Sequence, residues 1–224
     1  MTTNFMNLSS EVLFRINESL HNAVDQQLDI YSLAAHIKKV YADLQQSRDF
    51  RELIEAARRF TPDKQNSVFS ETLLEDHQCR LSLIGINRFA PIPVHDHPHI
   101  TGVSLIIHGR VQVRNYRIQE IVREPSLVKL ECLADEILGA GSTIAIENGA
   151  NNLHGLQSMN LNAVCLALQT PPLAADRQAW YFPTHPLASH HQHSTWNRII
   201  KSPRKTNPLP EPLTTLEPGG ALSC

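Results

Sequence analysis

The stretch PIPVHDHPHITGVSLIIHGRVQVRNYRI, residues 91–118, decides the fold class. Apolar residues alternate there with polar ones in short runs broken by glycine and proline, which is the pattern of β-strands joined by turns. In an extended strand, residues two apart face the same side, so His95 and His97 present two imidazoles to one side while Asp96 points to the other. Such a pair can occupy two neighbouring positions of one metal ion.

A third imidazole is available from His154 in ENGANNLHGL, residues 147–156, where glycine and asparagine favour a tight turn. The alternative is chance, because the chain has twelve histidines and three His-x-His pairs. The later turn that ends in histidine, within a β pattern, favours a metal site built from His95, His97 and His154.

Further runs outside this stretch predict strands over 80–86, 142–149, 162–170 and 180–182. Many short strands indicate an all-β sandwich or barrel, which we assign to residues 66–183. Ahead of it, apolar residues recur at intervals of three and four between positions 9 and 60, so residues 1–65 are expected to form a helical segment.

Residues 184–224 have a different composition, with six of the fourteen prolines and four histidines within nine residues. We expect a Pro- and His-rich tail that is extended or disordered. A second metal site is the alternative for its histidines, although an unstructured segment has no preorganised ligand geometry. Trp196, Ile199 and Ile200 offer another alternative, in which the tail docks on the barrel or on a second subunit.

Composition excludes several function classes. The chain has 224 residues, 42% hydrophobic and 19% charged, with a formal net charge of −2, which allows a packed core and gives no basic surface for nucleic acid. No apolar run is long enough to cross a membrane, and the N-terminus has no signal peptide, so we expect a cytoplasmic protein. The four cysteines are widely spaced and are expected to be reduced thiols. Oligomeric state does not follow from one sequence.

These motifs resemble those of the cupins. Within the cupins, IPVHDHPHITGVSLIIHG, NNLH (151–154), TPPL (170–173) and RQAWYF (177–182) look like segments of the thiol dioxygenases, the cysteine and cysteamine dioxygenase group. The resemblance implies a cupin β-barrel, a double-stranded β-helix or jelly roll, with N-terminal helices. It also implies that His95, His97 and His154 are the catalytic ligands of a non-haem Fe(II).

Departures from that pattern point away from cysteine itself as the substrate. Ala167 and Leu173 stand where the plant and cysteamine members have an acidic and an aromatic residue. Cys165, Ala167 and Gln169 replace the Ser, His and Tyr of the cysteine branch. Gly102 occupies the position of a cysteine that some animal members cross-link to tyrosine, so this chain cannot form that cross-link.

Three neutral imidazoles leave Fe(II) with two net positive charges, whereas a carboxylate ligand would leave one. Such a centre favours a thiolate ligand beside dioxygen, and transfer of both oxygen atoms to sulfur gives a sulfinic acid. Zinc and nickel also accept these ligands, and zinc would activate water instead. Two other functions stay open: a cupin metalloenzyme with a non-thiol substrate, for example one that cleaves a diketone, and a metal-containing cupin that binds a small ligand without turnover.

Four residues are candidates for binding the small-molecule thiol. Gln169 and Cys165 lie on the strand whose face the family directs towards the metal, with an outward amide and a small core residue as the respective alternatives. Arg88 precedes the histidine pair and has the geometry to hold a carboxylate, although surface arginines are common. Tyr116 matches a family position and is equally well explained as packing in the barrel wall.

Overall fold

A computed structural model of the protein describes residues 14, 18–19, 21–23, 26, 29–46, 48–59, 68–123, 126–147, 152–159, 161–171, 178–184 and 193–200. Within the described residues, helix is present at 14, 18–19 and 21–23 and in two longer elements ahead of the strands, α1 (Ile30–Leu44) and α2 (Arg48–Arg59). The Asp29 carboxylate caps α1 by accepting the backbone N–H groups of Tyr31 at 2.9 Å and Ser32 at 3.0 Å. Neither helix is long and apolar enough to cross a membrane.

Eleven strands follow in the described part of the chain: β1 (Val68–Glu75), β2 (Arg80–Ile86), β3 (Pro91–His95), β4 (Thr101–His108), β5 (Arg110–Arg123), β6 (Leu127–Gly139), β7 (Thr143–Ile146), β8 (Leu153–Ser158), β9 (Ala163–Thr170), β10 (Ala179–Pro183) and β11 (His193–Ile200). They form a five-stranded sheet A, in the order β1-β2-β9-β4-β7, and a closed six-stranded sheet B, in the order β10-β11-β6-β5-β8-β3. All pairings are antiparallel. The predicted β architecture is therefore confirmed.

Alternation along β9 separates two hydrophobic cores. Val164, Leu166 and Leu168 pack in one core with Leu33 and Ile37 of α1, so this face of sheet A is covered by helix. The intervening side chains face sheet B, and among them Ala163 and Cys165 pack in a second core with residues of β3, β5 and β8. The site described below lies in this space between the two sheets.

Sheet B encloses a third core of its own. It contains Tyr116, Leu153, Tyr181 and Trp196, and the last of these is only 3% exposed. On β5 and β8 of this closed sheet, Tyr116 and Leu153 enter the third core, whereas Val113 and Leu156 pack in the second core with residues of sheet A. Successive residues of one strand therefore enter different cores.

The tail is expected to be extended or disordered until it meets a surface, and its residues His193–Ile200 are ordered on the barrel. These residues form β11, which pairs with β10 through Trp180↔Ile199 and with β6 through Trp196↔Val128. Trp196 therefore docks on the barrel, which is the alternative considered for this segment. Of the four histidines assigned to the tail, His185, His190 and His191 lie outside the described residues, and the rest of the tail beyond 200 does too.

Candidate metal centre

The two histidines of the His-x-His pair sit where β3 gives way to a tight turn. His95 is the last residue of β3, and a turn closed by the N–H of Ile100 donating to the carbonyl of His97 leads into β4. His99 adopts a left-handed φ of 63° in this turn. His154, near the start of β8, is the register partner of His95, so the two imidazoles stand on one face of sheet B.

Three imidazoles converge there as the sequence predicts. One ring nitrogen from each of His95, His97 and His154 lies within 4.8 Å of the other two. The Nε2 atoms of His97 and His154 are 3.4 Å apart, and the ring centroids are 4.7–4.9 Å apart. This arrangement matches a metal ion bound on one side by three histidines.

All three imidazoles are buried, with exposed fractions of 5–6%. Burial lowers the pKa of His95 to about 4, and burial together with the neighbouring imidazoles lowers the pKa of His97 and His154 well below 6.5. The rings are therefore neutral near pH 7, and converging neutral nitrogens present lone pairs that repel one another. A cation between them relieves that repulsion, so the residues present fit a metal.

Contacts outside the ligand set hold the ring of His95 and the backbone of His97. His95 donates from Nδ1 to the carbonyl of Pro93 at 2.8 Å, which directs its Nε2 towards the other imidazoles, and its ring stacks on Trp180 at 4.9 Å. Asn152 donates from Nδ2 to the carbonyl of His97 at 2.6 Å. Asn152 and Trp180 belong to the NNLH and RQAWYF motifs, which by themselves predict no role for either residue.

Asp96 points away from the centre, as the strand alternation predicts. Its carboxylate accepts the N–H of Ala179 at 2.7 Å and the hydroxyl of Tyr181 at 3.1 Å. Burial raises the pKa of this carboxyl, and burial also raises the pKa of the Tyr181 phenol. The pair ties β10 to the segment that carries the two histidines.

The predicted substrate residues divide into two groups. Cys165 and Gln169 stand on the face of β9 that looks towards sheet B, and burial raises the pKa of the Cys165 thiol to about 12. Tyr116 pairs with Leu153, whereas its neighbour Asn115 pairs with His154, so Tyr116 faces the third core and contacts Trp196. The structure does not bring Tyr116 to the histidines.

Arg88 is not brought to the histidines either. It is exposed in the turn between β2 and β3, at the end of β3 opposite His95, and its guanidinium lies over the Phe89 ring at 4.6 Å. A binding role for Arg88 stays a prediction to which the geometry adds no support.

Two buried serines were missed by the sequence analysis. Ser82 and Ser104 are 8% and 7% exposed and are the register partners of Ala167 from the two strands that flank β9. They therefore share the face that carries Cys165 and Gln169. An isolated serine within a strand has no local sequence pattern that marks it. Only the pairing of β2, β9 and β4 shows that Ser82, Ala167 and Ser104 lie in one row across sheet A.

A second cluster with metal-ligand chemistry lies at the β1–β2 turn. The side chains of His21, Asp76 and Cys79 approach within 4.8 Å of one another. His21 pairs with the Asp76 carboxylate at 2.7 Å and with the Gln78 amide oxygen at 2.6 Å. Because these groups already bond to one another, the cluster holds together without an ion.

Several solved structures are similar to about half of the chain. Similar solved structures include KdgF from Halomonas sp. (13% identity, 50% of this chain and 86% of that one), the cupin domain of Schizosaccharomyces pombe Cnp3 (9%, 50% and 70%) and an RmlC-like cupin from Shewanella frigidimarina (17%, 49% and 81%). Their TM-scores are all 0.38, so they say nothing about function. No curated protein matches the chain.

One family model, PCO_ADO, matches residues 33–206, which is well over half of the chain. That match extends from within α1 to beyond β11 and includes the three histidines. The predicted resemblance to the cupin thiol dioxygenases is thereby confirmed: the chain belongs to the PCO_ADO family, that of plant cysteine oxidase and cysteamine dioxygenase.

Proposed function

We propose that the protein is an Fe(II)-dependent dioxygenase that adds both atoms of dioxygen to a small-molecule thiol and releases a sulfinic acid. The observation that carries this proposal is the set of three buried, neutral imidazoles converging from β3, the turn after it and β8. Family membership supports thiol oxidation in the broad sense. Iron as the metal, a small thiol as the substrate and a sulfinic acid as the product are what we propose beyond family membership.

His95, His97 and His154 would hold the ion on one side. When bound, Fe(II) supplies the redox chemistry that couples dioxygen to a thiolate. Because the three ligands are neutral, the centre keeps its full positive charge in a buried setting, which favours an anionic sulfur donor. The overall change is R–S⁻ plus O2 to R–SO2⁻: the O–O bond breaks, two S–O bonds form and sulfur loses four electrons.

Other residues of the protein would hold the metal ligands in position and shield the centre from water. The hydrogen bond from His95 to Pro93 keeps one nitrogen of that ring aimed at the centre, and the Asn152 contact fixes the turn that carries His97. Ile106, Ile144 and Cys165 line the neighbouring core and limit the access of water.

The test uses protein loaded with Fe(II) without oxygen and then mixed with isotopically labelled dioxygen and a panel of small thiols. We expect a product that gains two labelled oxygen atoms on sulfur, detected by mass spectrometry. His154→Ala should lose both bound iron and product, whereas His77→Ala, which removes an exposed histidine, should keep both. Oxygen consumption without oxidised sulfur would favour a non-thiol substrate. Thiol binding without oxygen consumption, or retention of zinc alone, would contradict the dioxygenase.

A further inference from the structure

Two buried serines stand on the wall of sheet A that faces the three histidines. Ser82 and Ser104 are each more than nine-tenths buried, and within the described residues neither hydroxyl makes a hydrogen bond. Within the described residues, the fully buried side-chain atoms without a partner are His97 Nδ1 and Arg198 Nε, and neither serine oxygen is among them. The two serine oxygens are therefore available to a ligand in the space in front of sheet A.

Register places these hydroxyls opposite the metal centre. On sheet A, Ser82, Ala167 and Ser104 form one row across β2, β9 and β4. Neighbouring rows on the same face contribute Ile106 and Cys165 to the core shared with sheet B.

On sheet B, His154 stands two residues from Leu156 of that same core, and His95 is its register partner. The serines and the histidines therefore look into one space from opposite walls.

Both sets also lie at the same end of the barrel. The turn after His97 leads directly into β4, so Ser104 is the fourth residue of that strand, and Ser82 is the third residue of β2. Packed sheets stand about 10 Å apart, and the imidazoles occupy part of that distance. The remaining gap suits a ligand of a few non-hydrogen atoms that spans from the metal to the serines.

The chemistry of this wall indicates the substrate class. Serine hydroxyls and the nearby Gln169 amide donate and accept hydrogen bonds but carry no charge. The charged residues that sheet A presents at this end, Arg80 and Glu75, already form a two-point ion pair with N–O distances of 2.9 and 2.7 Å. Binding a substrate carboxylate there would require breaking that pair.

We propose that Ser82 and Ser104, which stand on either side of Ala167, form a polar subsite for the neutral amide group of a short thiol whose sulfur reaches the metal, because an amide has an acceptor and a donor that point in opposite directions. This inference rests on the proposed function and deepens it, because it names uncharged polar thiols as the preferred substrates. Ala167, between the two serines, leaves room for the ligand group, since a larger side chain in the middle of the row would fill it.

The test measures thiol binding to Fe(II)-loaded protein by calorimetry without oxygen, which separates binding from turnover. The probes are N-acetylcysteamine, with a neutral amide, 3-mercaptopropionate, with a carboxylate, and ethanethiol, with neither. Wild-type protein should bind N-acetylcysteamine most tightly. Ser82→Ala and Ser104→Ala should each raise its Kd about fivefold to tenfold and leave the Kd of ethanethiol unchanged. Ser70→Ala, at an exposed position of β1, is the matched control and should change neither value.

Several outcomes would overturn the subsite: an unchanged Kd for N-acetylcysteamine in both variants, an equal loss for ethanethiol, or tighter wild-type binding of 3-mercaptopropionate. The wild-type preference decides the matter even where a variant fails to fold. If N-acetylcysteamine binds in a serine-dependent way and no thiol is oxidised, the subsite stands and the dioxygenase fails. If thiols are oxidised and neither serine substitution changes the Kd of N-acetylcysteamine, the dioxygenase stands and the subsite fails.

Discussion

Replacing Asn152 by alanine should weaken metal binding although Asn152 is not a ligand. Its amide is 7% exposed and donates to the His97 carbonyl at 2.6 Å, across the gap between the turn after β3 and the start of β8. Removing the donor leaves a buried carbonyl unpaired and frees the turn that aims the His97 ring. We expect the free energy of unfolding to fall by about 1–3 kcal/mol and metal affinity to fall about 10- to 100-fold.

Two measurements check this expectation. Urea unfolding of the metal-free protein gives the stability change, and competition against a chromophoric chelator gives the metal dissociation constant. Asn197→Ala is the matched control, because Asn197 is exposed on β11 and should affect neither quantity. Metal affinity within twofold of wild type in Asn152→Ala, with the stability loss present, would refute the idea that this contact positions His97.

Three further outcomes are expected. Trp196→Ala should lower the free energy of unfolding by about 3–5 kcal/mol in urea titrations, because it removes a buried side chain. Ile199→Ala, at a position that is 46% exposed, should stay close to wild type. Equal losses of stability in the two variants would contradict the placement of β11 in the barrel. Cys79 and Cys165, with pKa values raised by burial to about 11 and 12, should resist alkylation near pH 8 until urea is added, as peptide mass spectrometry would show.

The third outcome concerns the pH dependence of stability. Burial lowers the pKa of His95 to about 4 in the folded, metal-free protein. As pH falls from about 6.5, the imidazole of His95 therefore takes up a proton in the unfolded state before it does so in the folded state. The free energy of unfolding should then fall by up to about 3 kcal/mol. His95→Gln should show a weaker pH dependence in urea unfolding than the wild type. Identical pH profiles for the two proteins would contradict this expectation.

That His95 and His97 lie close together could be predicted from the sequence because this information is local. His95 and His97 share a face by simple strand alternation, and Pro98 marks the turn after them. The position of Tyr116 depends instead on the register between β5 and β8, which sets it beside Leu153 and one residue out of step with His154. Register between strands about forty residues apart leaves no mark in either strand's own pattern.

The segment His193–Ile200 shows the same limit at the level of a whole element. Histidines and prolines around it give the composition of a solvated tail, and the strand exists because β6 and β10 supply its hydrogen-bond partners. Ser82 and Ser104 likewise acquire meaning only when sheet A sets them on either side of Ala167. Such features come from contacts between distant parts of the chain.

His97 and His154 are 57 positions apart in the sequence, so retention of an ion by both residues depends on the fold of the chain between them. Residues 98–153 include four strands, β4 to β7, which must fold before these two rings can meet. No proteolytic fragment that lacks either partner would hold all three ligands, and a nascent chain gains the complete set only late in synthesis. The proportion of molecules that bind a metal ion through all three imidazoles would therefore measure how many have folded completely, and metal loading can serve as a quality check on preparations of the protein.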